Sequence, residues 1–193
     1  MSRIYLPSYS KLVAVGDKID FNDVGNLPAV IDASRCREVT FRNCKFADGQ
    51  VLQLGDGIKG NFDFSYNLPH DLDFTKFSEF QMLLFKFDNF DKVQFRKGAK
   101  IYLEHVSDFP QDFDVSQCAE VVLRRCKMKN VQKLTFAEGA KVDLSCEKDG
   151  WSGRPETELP QVIDVSNCAE VNLSGTDLKN VAPCTLKKGR RFF

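Results

Sequence analysis

A beat of 20 or 21 residues runs from Ile31 to Cys184 and limits what this chain can fold into. Short strand-like cores have their first apolar residue at Ile31, Leu52, Leu72, Val93, Phe113, Leu134, Ile163 and Cys184. The steps between them are 21, 20, 21, 20, 21, 29 and 21 residues. A short fixed period is the mark of a solenoid, in which each repeat covers its neighbour's apolar face. A second set alternates with the first. It reads Ile19-Asp20-Phe21, Val39-Thr40-Phe41, Phe62-Asp63-Phe64, Phe80-Gln81-Met82, Ile101-Tyr102-Leu103, Val121-Val122-Leu123, Val142-Asp143-Leu144 and Val171-Asn172-Leu173. Apolar–polar–apolar alternation belongs to a half-buried strand, its central residue outward and its neighbours inward. The pattern predicts an all-β, right-handed β-solenoid of about eight coils, each with two short parallel strands and two corners.

The corners carry their own chemistry. Gly57, Gly98, Gly139 and Gly189 precede second-set strands, where a tight turn calls for positive φ. Apolar–proline pairs close each double coil at Leu27-Pro28, Leu68-Pro69, Phe109-Pro110 and Leu159-Pro160, where no ladder donor is needed. Cys36, Cys118 and Cys168 share one slot with Phe77; Cys44 and Cys126 share another with Phe85 and Thr176. Phenylalanine as the alternative marks buried corners. Thiols two coils apart stand about 9–10 Å from each other, beyond a disulfide. All seven cysteines are therefore read as free.

Composition removes several functions. Lysine plus arginine equals aspartate plus glutamate, 27 against 27, so no general electrostatic grip on nucleic acid or anionic membrane is expected. No run of about 18 apolar residues offers a transmembrane helix. Pro7, Ser8 and Ser10 interrupt the only stretch that could serve as a signal peptide. The expectation is a single cytoplasmic solenoid domain over 1–193, export as an effector or from a cleaved precursor remaining open. Residues 1–29 form an N-terminal cap and first coil, 145–159 a loop insertion, and 187–193 a terminal half coil.

Cys118-x-x-Val121-x-Leu123-x-x-Cys126-x-Met128 follows the pattern L-x-x-L-x-L-x-x-N/C-x-L. So do Cys36-x-x-Val39-x-Phe41-x-x-Cys44-x-Phe46 and Cys168-x-x-Val171-x-Leu173-x-x-Thr176-x-Leu178. The chain resembles short-period bacterial leucine-rich repeats over most of residues 12–188. Every second coil lacks the Asn/Cys position, which leaves a horseshoe and a flatter two-sided solenoid both open. The resemblance implies a recognition scaffold and carries no catalytic residues.

Outward positions hold the candidate sites. In the first set they run Asp32, Gln53, Asp73, Gln94, Asp114, Thr135, Asp164 and Thr185, acid alternating with neutral. That spacing avoids carboxylate repulsion between adjacent strands. It also sets the aspartates too far apart to share one Ca²⁺. Before the second set, Lys18, Glu38, Asn61, Glu79, Lys100, Glu120, Lys141 and Glu170 make a largely sign-alternating column that pins register. Gln81, Leu83, Tyr102, Val122 and Arg124 combine apolar and charged groups as interfaces do. The insertion holds the chain's single tryptophan, Trp151, and Arg154, the residue types that most often anchor partners. His70 and His105 stand in no metal or catalytic motif. The reading is a non-enzymatic scaffold for a protein partner, with no cofactor, no metal and no catalytic residues. Its rivals are a polysaccharide-binding or polysaccharide-degrading β-helix and a structural protein that assembles through its solenoid ends.

Overall fold

The computed structural model describes residues 10–146, 157–182 and 191–192. The fold is all-β: parallel strands stack as a β-solenoid of about six turns. The sole helical segment among the described residues is the 3-10 turn Phe74–Lys76. The chain divides into two compact units, 1–85 and 86–193.

In the first unit one sheet runs β1 (Lys11–Val13), β3 (Val30–Ala33), β5 (Val51–Leu54). The other runs β2 (Lys18–Asn22), β4 (Glu38–Arg42), β6 (Ile58–Asn61), β7 (Phe77–Lys86). The sequence beat is the strand register. Ile31 lies beside Leu52, Val39 beside Gly60, and Gly60 beside Phe80. Aromatic rings then stack one coil apart. Phe21 to Phe41 is 5.3 Å and Phe41 to Phe62 is 5.4 Å between centroids, close to the spacing of neighbouring strands.

In the second unit β8 (Lys92–Gln94) pairs with β10 (Asp112–Asp114), and β12 (Lys133–Thr135) with β14 (Val162–Asp164). A larger sheet takes in β9 (Lys100–Ser107), β11 (Glu120–Arg124), β13 (Lys141–Asp143), β15 (Glu170–Asn172) and β16 (Arg191–Phe192). Leu134 pairs with Ile163, so the ladder keeps its register across the long step.

Three expectations need correction. Phe62-Asp63-Phe64 is not the strand; β6 ends at Asn61. Gly60 takes the inward place, because a Cβ there would come within 2.4 Å of the Phe77 ring. The alternating column accordingly runs Lys18, Glu38, Lys59, Glu79, with Lys59 in place of Asn61. At Asp71–Thr75 the chain forms no first-set strand. The Asp73 carboxylate accepts from the Thr75 amide at 2.9 Å and caps the 3-10 turn there. Leu72 and Phe74 still face the core. The turn count is about six rather than about eight, because that coil lacks one ladder strand and the Cys184 coil lies outside the described residues.

Gly57, Gly98 and Gly139 have φ of 77°, 78° and 76°, the left-handed conformation that their turn position required. A second corner is left-handed mostly without glycine: Asp23, Asn43, Phe64 and Leu84 in the first unit, and His105 and Arg125 in the second, with Gly175 in the same slot at φ 73°. Cys36, Cys44, Cys118, Cys126, Cys146 and Cys168 are buried free thiols. Burial pushes Cys118 and Cys126 up to about 12, far from a nucleophile's range.

Candidate functional site

The outward face of the large sheet in the second unit gathers three of the candidate residues. β11 lies between β9 and β13, with Val122 beside Tyr102 on one flank and Asp143 on the other. Asn172 stands beside Asp143 on the next strand. Val122 is the short side chain of this row. Around it opens a concavity of about 430 Å³, lined by Tyr102, Val122, Arg124, Asp143, Asn172 and the flanking charged column. Tyr102 and Val122 are half-buried, and Arg124 is exposed.

Its electrostatics are balanced within the site. The Arg124 Nε donates to the Asp143 carboxylate at 3.1 Å, and the same carboxylate accepts from the Ser145 amide at 2.9 Å. Burial raises the Asp143 carboxyl, but the Ser145 and Arg124 hydrogen bonds outweigh it and hold the group below its ordinary value. Lys100 pairs with Glu120 at 3.8 Å, and Lys141 with Glu170 at 3.5 Å. The floor is thus apolar, with Tyr102 at one side and paired charges around it. Such a surface can take an apolar or aromatic side chain while its rim supplies hydrogen bonds.

Gln81 and Leu83 lie on β7 of the first unit. Gln81 is exposed, but Leu83 is half-buried. Trp151 and Arg154 fall outside the described residues. Asp143, Lys141 and Asn172 line the concavity without having been singled out as binding residues. The signal for them was present, since Asp143 and Asn172 occupy the same outward slot as Tyr102 and Val122.

The first-set aspartates have a local role. Asp32 accepts from the Ser34 amide at 3.2 Å, Asp114 from Ser116 at 2.9 Å, and Asp164 from Ser166 at 3.1 Å. Asp73 does the same for Thr75. Asp32, Asp114 and Asp164 close turns where their strands end, and Asp73 caps the 3-10 turn. Hydrogen bonds from Ser34 hold Asp32 below its ordinary value. At Asp114 a polar cleft of about 420 Å³ is lined also by Asp91, Asp112, Lys133 and neighbours. The chain matches no known family profile, no curated protein and no solved structure.

Proposed function

We propose that the chain is a non-enzymatic recognition scaffold of leucine-rich-repeat-like type that binds a protein partner through the Tyr102–Val122–Arg124 face. The observation that carries this reading is the concavity around Val122, where one short apolar residue interrupts a rigid strand face. Strand-borne side chains are held in place by the ladder, so such a face presents a preorganised surface. Tyrosine and arginine are the residue types that most often dominate binding energy. Buried free thiols suit a reducing compartment, in keeping with action in the cytoplasm. The polysaccharide reading asks for carboxylates available to a ligand, and the aspartates of the other face already close turns.

Affinity capture from a lysate of the source cells tests the proposal, with wild-type chain beside Tyr102→Ala and Val122→Asp. A protein should be retained by the wild type and lost by both variants, each with an unchanged melting temperature. Retention by the variants, or binding only to glycans on an array, would overturn it.

A further inference from the structure

Three irregularities meet at one corner of the first unit. The first is a buried acid. Asp63 is 7% exposed, and its Oδ1 has no hydrogen-bond partner among the described residues. Its Oδ2 accepts from the Gln81 side-chain amide at 3.2 Å, and Gln81 itself is exposed. The second is strain. Phe64 and Leu84 sit at φ 58° and 56°, a conformation that bulky L-residues adopt only when their surroundings enforce it. The third is exposure. Phe64, Tyr66 and Leu84 are 45%, 49% and 54% exposed. They lie together, because the Phe64 amide donates to Leu83 on the neighbouring coil at 2.9 Å and Tyr66 is two residues further on.

Each feature has a ready alternative that the chain does not take. At the equivalent corner one and two coils earlier stand Asn43 and Asp23, whose side chains hydrogen-bond each other. Such polar residues tolerate the left-handed region and suit solvent. In their place the next two coils present a phenyl ring and an isobutyl group. An apolar patch alone does not say what covers it. The unpaired carboxylate oxygen does, because a buried acceptor calls for a donor and a carboxylate most favours a cationic one.

We infer that the Phe64–Tyr66–Leu84 corner is a docking surface for a protein segment carrying one lysine or arginine between apolar side chains, the cation reaching Asp63. The apolar residues cover the three exposed side chains. Gln81 turns outward from Oδ2, and the incoming cation donates to both oxygens, Oδ1 included. Arg42 precedes Asn43, whose amide donates to the Asp63 carbonyl at 3.0 Å, and Lys45 lies 5.9 Å from the centre of the Tyr66 ring. These two cations border the patch and favour a segment with a single positive charge over a polybasic one. The inference shares with the proposed function only that the partner is a protein; it concerns other residues, all of them in the first unit.

Selection of a phage-displayed random peptide library on the full chain tests it, with the selected peptides resynthesised for calorimetry. Selected peptides should share one lysine or arginine flanked by apolar residues. Changing that residue to glutamine should weaken binding roughly tenfold or more. Leu84→Ser should abolish binding while leaving the melting curve intact, and Asp63→Asn should remove the preference for the basic residue. Selection that yields no peptide, peptides without a basic residue, or peptides that bind Leu84→Ser equally well would overturn the inference. Peptides lost by Tyr102→Ala but kept by Leu84→Ser would overturn it while leaving the proposed function standing. A double-mutant cycle showing strong stability coupling between Arg42 and Asp63 would give the acid an internal partner and overturn it as well.

Discussion

Gly60 shows how one missing side chain decides a register. A methyl group there would stand 2.4 Å from the Phe77 ring and 2.9 Å from the Phe62 ring, both buried and neither free to withdraw. Gly60→Ala should therefore cost about 1–3 kcal/mol by overpacking. Gly25→Ala, with nothing within 4 Å, should be near neutral in the same urea titration. Asp143 ties stability to pH. Its folded pKa is depressed, so its contribution is fully present above the ordinary carboxylate value of about 3.9 and is lost as pH falls through the lower folded value. Wild type should exceed Asp143→Asn in stability at pH 7, and the gap should close as pH falls below about 4. A gap that stays constant over that range would deny the depressed pKa. The thiols behave as packing groups: Cys126 Sγ lies 3.5 Å from the Leu103 carbonyl oxygen and 3.3 Å from that of Arg124. Seven thiols should titrate after denaturation without reductant. Cys118 and Cys126 should resist alkylation in the native protein, since so few of their thiolates exist at neutral pH.

At the scale of the strand, alternation does most of the work. In β11 the burial runs Val121 inward, Val122 outward, Leu123 inward. Leu123→Asp should destabilise by about 4 kcal/mol or more, because a charge is buried without a partner. Val122→Asp should fold normally, and equal damage from both would contradict the assignment of faces. This alternation was legible in nearly every second-set strand, as was the interval that sets register. Where the two disagreed, the interval was right. Twenty-one residues after Val39 stands Gly60, the true inward residue, but glycine carries no apolar signal and Phe62-Asp63-Phe64 imitates a strand. The left-handed corner at Phe64 and Leu84 left no trace for a related reason. Positive φ is readable from composition when glycine supplies it, as at Gly98, and unreadable when packing forces it on a phenylalanine. Leu83 was accordingly taken as the exposed apolar residue, whereas the turn at Leu84 brings that side chain to the surface instead. The candidate site was half legible. Tyr102, Val122 and Arg124 follow from alternation, but the concavity depends on the size difference between neighbouring outward side chains.

For the molecule as a whole, stability is spread along the stack. Among the described residues most coils contribute an aromatic or aliphatic rung to the core and a pair of ladder strands, and the paired residues lie about one coil apart. Surface ion pairs such as Lys18–Glu38, at 2.8 Å, and Lys59–Glu79, at 3.2 Å, add little individually and penalise a slipped register collectively. The central claim is that parallel strands stack with a 20- or 21-residue register. Backbone nuclear Overhauser contacts in isotope-labelled protein test it most directly. The account predicts contacts linking Val39 with Gly60, Leu103 with Leu123, and Val121 with Val142. Contacts whose partners approach each other in sequence as in a hairpin, or a ladder pairing Val39 with Phe62, would contradict it.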